Sequence, residues 1–228
     1  MAIAFDAAST GTPVTWTSLT YSHTVGSISN WLLVVVVYSS ADSITWVTYN
    51  WTSMTQAAKY FDGYWTYIFI LYNPPTWSAY DIVVTSSSSK VLKSSCASYS
   101  WVKQSWQPDS NGGAAWYSST IAVSTTTVAD NCWVIWAIMA KSAWLNTAWS
   151  WTTLRTNDTS LWLADNNAAK TPAWSVTLNA NPYWLWDWYC SIISIAPYVV
   201  VPFWTAQQSK RYRKREILWK IDNVWAVA

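Results

Sequence analysis

Apolar and polar positions alternate with a period of two along most of this chain, in runs of strand length, from the first residues to about residue 196. Successive side chains of a strand point to opposite faces, so this period marks half-buried β-structure. The runs predict strands at 3–7, 14–23, 31–38, 43–49, 54–61, 64–72, 80–86, 91–101, 117–123, 132–140, 161–164, 173–178 and 185–196. Two runs differ. Val34 to Val37 is continuously apolar, and 66–72 nearly so, which predicts strands covered on both faces.

Between the runs lie clusters of turn-forming residues. Examples are 26–30, the serine run 86–89, 109–113 with its paired glycines, and 125–131. Strands at this regular spacing, with no helical periodicity over any ten residues and no repeat of fixed length, predict an all-β, antiparallel sandwich of jelly-roll-like type. The expected organisation is a β-sandwich domain over 1–197. A short basic tail, 198–228, follows and carries a final strand at 217–225.

Charge separates the tail from the body. Before Lys210 the chain has 7 basic and 9 acidic residues; from Lys210 onward it has 6 basic and 2 acidic. Lys210, Arg211, Arg213, Lys214 and Arg215, followed by Trp219 in the last predicted strand, are the candidate partner-docking residues. Such a cluster suits nucleic acid, an acidic protein surface, a membrane face or, more plainly, a solvated linker before a docking strand. With Tyr212 as the one aromatic among the cations, binding to nucleic acid is not expected.

Composition adds an anomaly. The chain holds 22 Trp and 5 Gly, whereas glycine averages roughly 7% of residues. Many tryptophans stand where a turn wants glycine: Trp51 after Asn50, Trp77 after Pro74, Pro75 and Thr76, Trp149 and Trp151 about Ser150, and Trp174 after Pro172. Glycine takes φ > 0 without a Cβ penalty, and Asn-Gly is a strong hairpin signal. The expectation is that many of these tryptophans are glycines, from a genetic code that reads UGA as glycine. Trp133, Trp219 and Trp225 lie in apolar strand contexts and are expected to be tryptophan. Were the loop tryptophans real, they would be stacking surfaces for sugars.

Candidate chemistry is sparse. The one histidine, His23, stands at a predicted strand end, and no GxSxG nucleophile elbow accompanies it even with Trp read as Gly. Cys96, Cys132 and Cys190 have no metal-ligand spacing and are expected to be reduced and buried, with one disulfide plus a free thiol as the alternative. The nine aspartates of the body lie mainly in predicted turns or strand ends, where they hydrogen-bond local backbone. A glycosidase would need two of them at catalytic separation. No phosphate-binding loop is present. A non-enzyme without cofactor or metal is expected. Residues 1–6 lack the basic start and long apolar stretch of a secretory signal. The apolar runs at 31–38 and 192–203, the latter broken by Pro197 and Pro202, are too short to span a bilayer. A product of the cytoplasm with no membrane span is therefore expected.

Several segments carry a resemblance. They are Ala2-Ile-Ala-Phe-Asp-Ala-Ala-Ser9, Ser18-Leu-Thr-Tyr-Ser-His-Thr-Val25, Leu32-Leu-Val-Val35, Val47-Thr-Tyr-Asn50 with Met54-Thr55, Ala129-Asp-Asn-Cys-Trp133, Thr153-Leu-Arg155 and Ala169-Lys-Thr-Pro-Ala173. Together they resemble a broad set of β-sandwich proteins of phages and metagenomic bacterial sequences, over residues 2 to about 197. In that set the positions of Trp46, Trp51, Trp77, Trp101, Trp149, Trp151 and Trp174 look like glycine, and a basic residue is common at the position of Trp31. The resemblance implies a virion structural protein, such as a capsid decoration, fibre or tail component, and carries over no catalytic residues. Expected partners are other virion or surface-assembly subunits, including copies of itself. A carbohydrate-binding or adhesin module on a cell or virion surface, with a glycan as partner, is the alternative.

Overall fold

The computed structural model describes residues 1–118, 121–140, 152–158, 160–180 and 186–199. They form fifteen strands: β1 (Ala4–Thr10), β2 (Val14–Thr24), β3 (Leu32–Ser39), β4 (Ile44–Tyr49), β5 (Thr52–Ser53), β6 (Thr55–Phe61), β7 (Trp65–Tyr72), β8 (Ala79–Ser100), β9 (Ser110–Ser118), β10 (Ile121–Thr126), β11 (Trp133–Ala140), β12 (Thr153–Asn157), β13 (Leu161–Asp165), β14 (Ser175–Ala180) and β15 (Trp186–Ile195). Every pairing between them is antiparallel. No helix of the described residues is long and apolar enough to cross a membrane. The expected all-β antiparallel sandwich is what the described residues form.

β8 organises the first sheet. Its early part pairs with β2 on one edge and β4 on the other, with Val84 opposite both Leu19 and Val47. Its late part pairs with β1 and β3, with Cys96 opposite both Ser9 and Val35. β3 continues to β7 and β6, and β4 to β5. The second sheet runs β12-β13-β11-β15-β9, and β10 pairs with β14 alone.

Side-chain alternation then builds four layers. Leu33, Val35 and Val37 of β3 share a core cluster with Leu19, Val47, Tyr49, Ile82 and Val84, so the first sheet folds over itself about β8. Leu32, Val34, Val36 and Tyr38, on the other face of β3, pack against Ile135, Ala137, Met139, Leu163 and Ile193 of the second sheet. Val134, Trp136, Ile138 and Ala140 of β11 face the opposite way and meet Val123 and Val176 of the β10-β14 pair. All eight residues of β3 and all eight of β11 are buried. That is why β3 reads as an unbroken Leu-Val run: a strand between two layers needs apolar side chains on both faces. Each such Leu or Val contributes about 1.5–3 kcal/mol of burial free energy.

Three local readings are corrected. The serines at 86–89 do not separate two strands but lie inside the 22-residue β8. The β3–β4 connection receives them. The Ser87 N–H donates to Ser43 O at 2.8 Å, and the Ser40 N–H to Val91 O at 3.2 Å. Ser86 Oγ donates to Ser88 O at 2.7 Å and lies 2.7 Å from Ser43 Oγ. Polar side chains here satisfy backbone groups where the strand changes partners. Gly112 and Gly113 belong to β9, not to a turn. A Cβ on Gly113 would lie 2.5 Å from Tyr60 Cδ2, so glycine serves the close approach of β9 to β6. Finally, β5 and β12 lie outside the predicted runs; both are short and carry polar side chains.

Candidate functional site

Buried polar groups left unpaired mark chemistry. His23, one residue from the end of β2, is 2% exposed. Its Nε2 lies 3.2 Å from Ser98 Oγ, and its Nδ1 lies 2.9 Å from Ser9 Oγ. Ser98 Oγ donates to Asp6 Oδ2 at 2.7 Å, and the Gly26 N–H donates to the same oxygen at 3.0 Å. The carboxylate only accepts, so it orders the chain. Ser98 gives its proton to Asp6 and accepts the Nε2–H of His23, and Nδ1 accepts from Ser9. Burial lowers the His23 pKa to about 4, against a smaller upward pull from Asp6. A neutral imidazole this weakly basic is poorly matched to general-base work at pH 7. What the chain does is join β1, β2 and β8 across the first fold of the sheet.

A second knot joins the middle layers. Asp165, fully buried at the end of β13, accepts Arg155 Nε at 2.6 Å and Arg155 Nη2 at 3.0 Å. It also accepts the Tyr99 hydroxyl at 2.9 Å and the Asn167 N–H at 2.9 Å. The Arg155 guanidinium stacks over Phe5 at 3.9 Å. Burial, then the neighbouring Asp165 charge, raises the Tyr99 hydroxyl well above its ordinary pKa. Asp109 forms a third knot: its Oδ2 accepts the N–H groups of Val128 at 2.6 Å and Ala129 at 3.3 Å, with Ser194 Oγ at 3.3 Å.

The exposed candidates differ in kind. Trp51, in the β4–β5 turn, is 93% exposed. Next to it the Asn50 N–H donates to Asp81 O, while the Trp77 N–H donates to Val25 O just past β2. Trp51 and Trp77 therefore sit at one end of the outer layer. Trp106 stands at the same end of the next layer, where Gln104 Oε1 accepts the Asn73 N–H beyond β7. All three indoles are solvent-facing. Elsewhere Lys59 Nζ contacts Asp42 at 2.8 Å and lies 4.2 Å from the Trp65 ring centroid, on which Phe61 stacks. That hydrogen bond holds the Asp42 carboxyl below its ordinary range. A shallow groove is lined by Lys170, Thr171, Pro172 and Trp174 to Thr177.

The tail residues singled out from sequence, Lys210, Arg211, Arg213, Lys214, Arg215 and Trp219, lie outside the described residues, as do Trp149, Trp151 and Trp225. Cys96, Cys132 and Cys190 are free and buried, as expected. Among the described residues no group of three or more His, Cys, Asp or Glu is placed to hold a metal ion. Sequence reading missed the partnerships of Asp6, Ser9 and Ser98 with His23, and of Arg155 with Asp165. Each is made by strand register, over 10 residues for Arg155 with Asp165 and over 75 for His23 with Ser98, which leaves no local signal.

Compared with family models, with curated proteins and with solved structures, the chain matches none.

Proposed function

We propose that this chain is a non-enzymatic structural protein of a phage virion, a capsid decoration, fibre or tail component. The layered β-body would be the displayed part. The basic segment with Lys210, Arg211, Arg213, Lys214, Arg215 and Trp219 would dock on neighbouring subunits, by adding a strand to a sheet edge. The observation that carries this reading is where the buried polar chemistry goes. The buried carboxylate of Asp165, the half-buried carboxylate of Asp109 and the buried imidazole of His23 are each occupied in holding segments together, through hydrogen bonds that offset their desolvation and make the body rigid. Self-association and assembly on a particle fit such a body. The test is fractionation of particles from the source on a density gradient, with peptide detection across fractions. Co-migration with intact particles in fixed stoichiometry supports the reading; recovery only from the soluble fraction overturns it.

One observation favours a second reading, a carbohydrate-binding or adhesin module. Trp51, Trp77 and Trp106 present indoles at one end of the body, and such rings stack on sugar faces. A glycan array probed with the full chain separates the two. Selective binding lost in a Trp51→Ala/Trp77→Ala/Trp106→Ala variant supports the second.

A further inference from the structure

The backbone at four tryptophans is that of glycine. Nine non-glycine residues among the described ones have positive φ, and they are of two kinds only. Five are asparagines: Asn30, Asn50, Asn73, Asn131 and Asn167. Asparagine tolerates the left-handed region because its short side chain bonds locally. The other four are Trp51 (φ 65°), Trp77 (φ 75°), Trp101 (φ 59°) and Trp106 (φ 56°). Tryptophan has no such compensation, and its Cβ meets the following carbonyl in that region.

The turn at Trp51 makes the demand specific. Thr48 pairs with Ser53 and Tyr49 with Thr52, leaving a two-residue loop of Asn50 and Trp51. Both have positive φ, at 46° and 65°, the geometry of a type I′ hairpin, whose preferred pair is Asn-Gly. The indole does not offset the strain by packing, since Trp51 is 93% exposed, Trp106 86% and Trp77 76%. The backbone at Trp101 is fixed from both sides: its N–H donates to Ser29 O at 3.3 Å, and its carbonyl accepts the Tyr198 N–H at 2.7 Å. The same chain holds 22 Trp and only 5 Gly.

We propose that positions 51, 77, 101 and 106 are glycine in the native polypeptide, encoded by UGA in a code that reads UGA as glycine. The end of the body that carries Trp51, Trp77 and Trp106 is then a set of tight glycine and asparagine turns, not an aromatic platform. This inference stands apart from the virion reading, because particle association does not depend on which residue fills these turns.

The test reads the four codons in the source gene and the masses of the matching peptides from the native protein. UGA at all four, with each peptide lighter by the difference between Trp and Gly, is the expected result. A UGG codon or a tryptophan-containing peptide at any of the four overturns the proposal. A second measurement uses the full chain made with tryptophan at the four positions and as W51G/W77G/W101G/W106G. The glycine chain is expected to melt at a higher temperature, or to fold where the tryptophan chain does not. An equal or lower melting temperature overturns the strain argument.

Discussion

Arg155 grips Asp165 with two parallel contacts, Nε to Oδ2 at 2.6 Å and Nη2 to Oδ1 at 3.0 Å, where Asp165 is fully buried and the Arg155 side chain 10% exposed. Planar guanidinium and carboxylate match in this two-pronged geometry. Replacing both partners by apolar groups can be neutral, but removing one leaves a buried charge unpaired. Arg155→Ala is therefore expected to cost about 3–5 kcal/mol in urea unfolding. Tyr99→Phe, which removes one donor to the same carboxylate, is expected to cost about 1.5–3 kcal/mol.

His23 predicts an acid-side weakness. Its pKa in the folded chain is about 4, against an ordinary 6.5. Between these values the unfolded chain binds a proton that the folded chain refuses, so stability falls as pH falls. The contribution is complete above pH 6.5, is lost progressively down to pH 4, and totals about 3 kcal/mol. Unfolding curves at pH 7 and 4.5 for the parent and for His23→Gln check this. The parent should lose more stability than the variant over that interval, and parallel losses would show that another group carries the slope.

Gly113 sets the approach of β9 to β6. A Cβ there would meet Tyr60 Cδ2 at 2.5 Å and Tyr60 Cβ at 2.6 Å, and the second atom is fixed to the backbone. Gly113→Ala is expected to destabilise by about 1–3 kcal/mol through overpacking. Tyr60→Ala in the same chain should relieve much of that cost in a double-variant cycle.

The thiols should be silent until the chain opens. Burial pushes Cys96 and Cys132 up to about 12 and Cys190 higher still. The thiolate is the reactive form. A colorimetric thiol reagent at pH 8 should therefore find almost none in the native chain and all three in denaturant. Rapid reaction of any one thiol in the native chain would contradict its placement.

The parts of the fold legible in sequence are those where one physical demand dominates. Val34 to Val37 announced a strand between two layers because both faces of β3 need apolar side chains. The Asn50 turn announced a hairpin because only a few residue pairs suit it. Ser86 to Ser89 misled because serine is common in loops. Their partner Ser43 comes from a different segment, and only the assembled sheet shows that the polar run meets it. Gly112 and Gly113 misled for a related reason: glycine marks a turn or a close contact, and Tyr60 decides which. The candidate site was less legible still. Asp6, Ser9 and Ser98 meet His23 through the register of β1 and β2 on β8, and Arg155 meets Asp165 through the pairing of β12 with β13. The basic residues of the tail were plain in sequence, and they fall outside the described residues.

Hydrogen exchange on the full chain, resolved by peptide, tests the four-layer account most directly, because amides in doubly covered strands open only with the whole fold. The slowest amides should fall in Val34 to Val37 of β3 and Ile135 to Ile138 of β11, and the fastest strand amides in β5 and β12 at the sheet edges. Exchange in β3 or β11 as fast as in β12 would contradict the burial of both strands between layers.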